Sequence, residues 1–207
     1  ALGGNNVGEM RLCEALWPDT DGDVAHSAFS VTLHRLRKLT GHDALELNDS
    51  RLTLNPKYCW VDVWVCEQLL NNCKHALSQK QVDTNYAMHC IESAMQLYNG
   101  PFLGNEDEQP WYIMFRQRLH SKMLRSLLNM CAHLESISSC DRALELYHKG
   151  IELEPLAEEF YFRLMRCLAS YDRKAISTYI RCCNIFKTTL KVSPSLATEG
   201  LYKSLLN

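Results

Sequence analysis

The chain has 207 residues, 46% of them hydrophobic and 22% charged, enough apolar material for a packed core; disordered, collagen-like and coiled-coil compositions are excluded. Twenty-two basic against 24 acidic residues give a net charge of −2, which excludes a generally cationic nucleic-acid coat but not a local basic face. No apolar run approaches the ~18 residues of a membrane span and no secretory-signal pattern occurs, so a membrane is not an expected partner.

The first predicted helix runs from Gly8 to Trp17, with Met10, Cys13, Leu16 and Trp17 on one side, and stops at Pro18. Asp19-Thr20-Asp21-Gly22-Asp23 follows. Its acids mimic the opening of a calcium loop, but Val24 and Ser30 stand where that loop needs glycine and glutamate, so it reads as a capping loop. The second helix spans Val24 to Leu39 and stops at Thr40-Gly41. Phe29, Leu33, Leu36 and Thr40 form its packing face. Two alternating runs, Ala44–Leu47 and Arg51–Leu54, flank the polar turn Asn48-Asp49-Ser50 and read as a β-hairpin. Helix, turn, helix and a two-stranded wing is the order of a winged helix-turn-helix.

A boundary near Trp60 divides the chain into residues 1–60 and 61–207. The second region reads as helices at Asp62–Leu77, Thr84–Tyr98, Trp111–Ile137, Asp141–Glu154, Ala157–Tyr171, Arg173–Lys191 and Ser195–Leu206. Ala143, Tyr147, Gly150 and Pro155 match the second half of a tetratricopeptide (TPR) unit, and Ala175 and Tyr179 repeat its first pair 32 residues later. The fold class is therefore mainly α: a winged helix-turn-helix with a short hairpin wing, followed by an all-α TPR-like repeat domain. Ten cysteines occur with no C-x-x-C pair. Cys66 and Cys73 share a helical stripe with Leu69, Leu70 and Leu77, which marks them as core thiols of a cytoplasmic protein rather than bridges or ligands.

The helix from Val24 to Leu39 carries the functional signal. Opposite its apolar stripe it presents Ser27, Val31, His34, Arg35 and Lys38, with Arg37 at the margin, and Ala25 to Thr40 contains no acid. Guanidinium groups grip phosphate or fork onto guanine, and valine meets a thymine methyl. A solvated cationic turn complementing the helix dipole accounts for the same charges, and the wing placed directly afterwards favours DNA. Glu106-Asp107-Glu108 reads as a solvated loop and Trp111–Phe115 as a helix buried on several sides. No phosphate loop, nucleophile elbow or metal spacing occurs, so neither enzymatic activity nor a cofactor is expected.

Several longer stretches carry a resemblance. Leu12-Cys13-Glu14-Ala15-Leu16-Trp17-Pro18 and Leu33-His34-Arg35-Leu36-Arg37-Lys38-Leu39 resemble the OmpR-type winged helix, in the form joined to a bacterial transcriptional activator domain in SARP-type regulators. Ala94-Met95-Gln96-Leu97-Tyr98-Asn99-Gly100-Pro101-Phe102-Leu103, with Trp111 and Arg118, is similar to that activator domain. So are Glu154–Glu159, Leu164-Met165-Arg166 and Val192–Ser195. The resemblance implies a DNA-binding transcriptional activator. Val31 and Arg35 would face base edges, and Ser27, Thr32, His34 and Arg37 would meet phosphates or the groove wall. Lys38 joins them from the helix, and Arg51 is the one cation of the wing, beside an Asp49 that would repel phosphate. Expected partners are duplex DNA, RNA polymerase or a regulatory domain through the repeats, and a second copy in a homodimer. A chain opening at Ala1-Leu2-Gly3-Gly4, where the family has a sheet and first helix, implies a truncated winged helix within a C-terminal fragment of a longer regulator. The competing reading is a TPR-like protein-interaction or dimerisation module without DNA binding of its own, which suits residues 61–207, where sixteen basic and sixteen acidic residues cancel.

Overall fold

The computed structural model describes residues 2–106, 109–169 and 172–206, arranged in two units, 1–65 with 101–119 and 66–100 with 120–207. Asp107 and Glu108 of the predicted acidic loop, Tyr171 at a predicted helix end, and Ala1 lie outside the described residues. The fold is mainly helical with one small antiparallel sheet, as the hydrophobic periodicity implies.

In the first unit, helix α1 spans Glu9–Leu16 and helix α2 spans Gly22–Thr40. Helix α2 begins two residues earlier than predicted because the Asp21 carboxylate caps it, accepting the Asp23 N–H at 3.1 Å. A single 3-10 turn at His42–Ala44 leads into β2, Leu45–Asn48, which pairs with β3, Arg51–Leu54. Asn48 pairs with Arg51, so the hairpin turn has two residues rather than three. Asp49 and Ser50 both take positive φ, 47° and 57°. This is a type I′ arrangement, whose twist suits the flanking strands. A further strand, β1 at Val7–Gly8, adds to the free edge of β3 and gives the order β1-β3-β2.

The core between these elements is small. Cys13, Ala25, Phe29, Leu33 and Leu45 are buried, with Leu12, Trp17, Leu47, Leu52 and Leu54 packed around them. Gly4, at φ +74°, accepts the Leu54 N–H at 2.8 Å, and a Cβ there would overlap the Trp64 ring. In the 101–119 segment, Phe102 meets the rings of Tyr112 and Phe115 edge-on. The Arg116 guanidinium donates to the Phe102 and Leu103 carbonyls at 2.8 and 2.5 Å and lies over the Tyr112 ring. Tyr112 and Phe115 are buried as expected of this tract, whereas Met114 is exposed.

The second unit is built from α3 (Asp62–Leu77), α4 (Thr84–Leu97), α5 (Pro110–Ser136), α6 (Cys140–Leu153), α7 (Glu158–Cys167), α8 (Asp172–Thr189) and α9 (Leu196–Leu205), the first and third of which begin in the other unit. Helices α6, α7, α8 and α9 pack in sequence, each on the next. The TPR-like residues Ala143, Tyr147 and Gly150 all lie buried on α6. A Cβ on Gly150 would penetrate the Phe160 ring, which meets Tyr147 edge-on at 6.4 Å. The smallness of residue 150 therefore sets how closely α6 and α7 approach. Its echo on α8 holds for Ala175, which is fully buried, while Tyr179 stacks on Tyr202 of α9 at 4.0 Å. The stripe Cys66, Leu70 and Cys73 is buried as the spacing implies, and the Cys66 thiol donates to the Ala94 carbonyl at 3.7 Å. Burial pushes the Cys73 thiol up to about 11 and those of Cys131 and Cys182 up to about 12, which suits inert core groups.

Glu135 of α5 ties three elements together. It accepts hydrogen bonds from the Tyr147 hydroxyl, the Cys167 thiol and the Arg166 guanidinium, the last at 2.7 Å. Burial opposes its ionisation, but these donors outweigh burial and hold its pKa below the ordinary carboxylate value.

Two outcomes follow for stability. Gly150→Ala should lower urea-unfolding stability by about 1–3 kcal/mol through overpacking against Phe160; an unchanged midpoint would show that the helix pair has slack. A depressed carboxylate pKa stabilises the fold above the unfolded-state value, and that contribution is lost as pH falls through the folded-state value. Glu135→Gln should therefore cost about 1–3 kcal/mol near neutral pH and flatten the acid limb of stability, measured by urea unfolding at stepped pH.

Candidate nucleic-acid interface

At 1.5 Å per residue the 19 residues of α2 extend about 28 Å, against about 12 Å for the eight of α1. The shorter helix covers only the first half of the longer one. Ala25, Phe29 and Leu33 are buried, whereas in the last turns of α2 Leu36, Leu39 and Thr40 are exposed. This corrects the packing face expected from periodicity: its last two members, Leu36 and Thr40, are exposed, and the neighbouring Leu39 is 83% exposed.

The exposed side carries the predicted residues together. Ser27, Val31, His34, Arg35 and Lys38 fall within a narrow arc of the helix, and all five are exposed, Val31 by 50%. The Ser27 hydroxyl donates back to the Asp23 carbonyl at 3.0 Å. Thr32 is half-buried at the edge of this arc. The Arg35 and Lys38 side chains form no ion pair among the described residues, and the nearest acids in sequence, Asp23 and Asp43, lie beyond the two ends of the face.

Arg37 is held differently. Its Nε and Nη2 donate to the Leu45 carbonyl at 3.0 and 2.7 Å, so the guanidinium clamps the end of α2 to the first wing strand. Sequence reasoning placed Arg37 among the contact residues and missed this tether, since a backbone carbonyl eight residues on leaves no mark in side-chain periodicity. Gly41, at φ +91°, returns its N–H to the Arg37 carbonyl at 3.0 Å and turns the chain toward the wing.

The wing tip is tied down as well. The Glu9 N–H donates to the Ser50 carbonyl at 2.8 Å, and the Arg51 guanidinium donates to the Asn6 carbonyl at 3.3 Å. Arg51 stays exposed at the tip, next to the exposed carboxylate of Asp49. At the other end of the same surface the His26 ring meets the Glu9 carboxylate. Among the described residues, no group of three or more His, Cys, Asp or Glu side chains is placed to hold a metal ion, and no helix is long and apolar enough to cross a membrane.

Residues 61–206 match the family described as bacterial transcriptional activator domain. The chain belongs to that family. The resemblance read from Ala94–Leu103 and Glu154–Glu159 thus stands, and this member joins the activator domain to a winged helix. The solved structure of Mycobacterium tuberculosis EmbR in complex with a low affinity phosphopeptide has the same fold, with a TM-score of 0.69 over 99% of this chain at 16% identity. That match supports the winged helix followed by helical repeats, and the chain spans 56% of the EmbR chain's length. No curated protein sequence matches the chain significantly.

The Arg37 tether has a direct test. Arg37→Ala should lower stability by about 1–3 kcal/mol, read by urea unfolding. Arg37→Lys should recover only part of it, because an ammonium cannot make the forked contact. Equal stability of all three proteins would remove the clamp from the account.

Proposed function

We propose that this activator-family protein binds duplex DNA through α2 and recruits protein partners through its helical repeats. Residues 1–60 then serve as the DNA-reading domain and residues 61–207 as the activator domain. The observation that supports it most is the exposed, acid-free face of α2, fixed in orientation by the buried stripe beneath. An α-helix fits the major groove, and the residues on this face cover both kinds of contact. Arg35 and Val31 supply a guanidinium fork and an apolar contact for base edges. Ser27, Thr32, His34 and Lys38 supply phosphate or groove-wall contacts. Arg37 acts by positioning, holding the wing against the end of α2, with its remaining N–H groups turned to the backbone. Arg51 at the wing tip is placed to meet phosphate, opposed by Asp49. The repeats are proposed to engage RNA polymerase or a regulatory domain in the cytoplasm. Two copies pairing across half-sites would form a homodimer. The protein is proposed to act without catalysis and without a cofactor.

Selection from a random duplex library should enrich a sequence, and the enriched duplex then serves as probe. Arg35→Ala should weaken binding to it by about 1–3 kcal/mol and relax preference at one base position. Lys38→Ala should weaken all duplexes alike and reduce the salt slope by about one unit. If the wild-type chain enriches nothing over random DNA at low salt, the DNA reading falls, and an interaction module without DNA binding is what remains.

A further inference from the structure

Besides Ala25–Thr40, two further long stretches lack acids, Gln109–Leu134 and residues 173–198. Residues 173–198 contain no aspartate or glutamate and carry Arg173, Lys174, Arg181, Lys187 and Lys191, whereas residues 61–171 hold ten basic against fourteen acidic side chains. The charge balance of residues 61–207 is therefore a local segregation, with four cations on the acid-free part of α5 and four on α8.

Their spacing on α8 is ordered. Arg173, Ser177, Ile180, Asn184 and Lys187 follow one another at alternating four- and three-residue steps, so they form a straight row along one side of the helix, and all five are exposed. Ile180, 50% exposed, sits at the middle of this row, seven residues from Arg173 and seven from Lys187. Arg181 flanks the row on one side and the half-buried Ile176 and Cys183 on the other. Ala175, Thr178, Cys182 and Phe186 occupy the opposite, buried side, so the orientation of the row is fixed by packing.

The helix dipole accounts for only part of this. Lys187 in the last turn complements the negative end. Arg173 is at the positive end, directly after Asp172, where a cation is disfavoured. The cations of the preceding helix behave otherwise: Arg163 and Arg166 of α7 are paired with Glu159 and Glu135. Arg173, Arg181 and Lys187 make no ion pair among the described residues.

We infer that the Arg173–Ile180–Lys187 row of α8, flanked by Arg181, is a docking surface for an acidic amphipathic helix of a partner protein. A complementary helix would place an apolar residue on Ile180 and carboxylates seven residues to either side, with a further acid toward Arg181. A phosphate backbone would satisfy the cations but leave Ile180 facing a charged surface, so a protein helix fits the row better than nucleic acid does. The inference rests on the reading of residues 61–207 as the partner-binding half.

The test uses the full chain and a fluorescein-labelled 21-residue synthetic peptide of three heptads, with leucine at the central seam position and glutamate at the flanking ones, titrated by fluorescence anisotropy. The double variant Arg181→Glu, Lys187→Glu, with both positions exposed, should weaken peptide binding about tenfold or more, and Ile180→Ala by about threefold or more. Neither should change the far-ultraviolet circular dichroism or the titration of the enriched duplex. A polyglutamate peptide of the same charge should bind measurably more weakly than the amphipathic one. The inference is overturned if polyglutamate binds equally well, if the reversal leaves the peptide titration unmoved, if it abolishes duplex binding instead, or if sedimentation shows that it dissolves a dimer. Failure of the wild type to enrich any duplex would defeat the DNA reading and leave this titration standing. A flat peptide titration beside intact duplex binding would defeat this inference alone.

Discussion

Everything on the exposed cationic side of α2 depends on how the helix is held from beneath. Phe29 and Leu33, with Ala25, sink into a pocket made by Cys13, Leu45 and the half-buried Leu12, Trp17, Leu47, Leu52 and Leu54. Full burial of a phenylalanine or leucine side chain contributes roughly 1.5–3 kcal/mol, and in so small a core these two residues are a large part of what resists rotation of the helix. Turning α2 by one residue, about 100°, would expose Phe29 and drive charged or polar groups inward. The position of Arg35 and Lys38 is thus settled by residues on the far side of the helix that carry no charge.

The same dependence explains what could be read in the sequence. Helix α2 has an apolar stripe, an aspartate cap and a glycine stop, three independent local signals that agree, and its limits were legible to within two residues, with Phe29 and Leu33 of the expected packing face buried. Leu36 and Thr40 depart from the expected packing face because periodicity reports only that a residue lies on the apolar side, and says nothing of whether a neighbour covers it. Strand β1 left no signal at all, since two residues cannot show alternation and its partner β3 lies 43 or more residues away. The hairpin turn was read one residue too long because Asn48 is a favoured turn residue, yet here it closes the ladder opposite Arg51.

In the repeat half, legibility follows size. Ala143, Tyr147 and Gly150 were recognisable because tight helix pairs need small residues at fixed steps, and the structure puts the Phe160 ring where any side chain on residue 150 would be. Cys66 and Cys73 were legible as core groups for a related reason: on a helix a buried thiol occupies a small apolar position and finds a carbonyl to meet, as Cys131 also does with Ala143 at 3.8 Å, whereas Cys140 is exposed. What no spacing could show is the junction at Glu135. Its donors, Tyr147, Arg166 and Cys167, come from α6 and α7, 12, 31 and 32 residues distant, and no periodicity links them to one carboxylate.

Near-neutral net charge constrains how any of these surfaces act. With −2 over the whole chain, the protein has little long-range field to steer it, and at physiological ionic strength a charge is felt over only about 8 Å. Recognition must then come from short segments freed of acids, and the chain contains three that lie mainly on long helices, Ala25–Thr40, Gln109–Leu134 and Arg173–Thr198, of which the first and last carry the two surfaces described. On α2 the valine lies between polar groups and close to Arg35, a mixture that suits base edges. On α8 the apolar residue is central and the cations are spread at two-turn intervals, a longer and sparser pattern than a groove demands. One electrostatic device, the exclusion of carboxylates from a single helix face, is thereby fitted to two different chemistries by the side chains left between the charges.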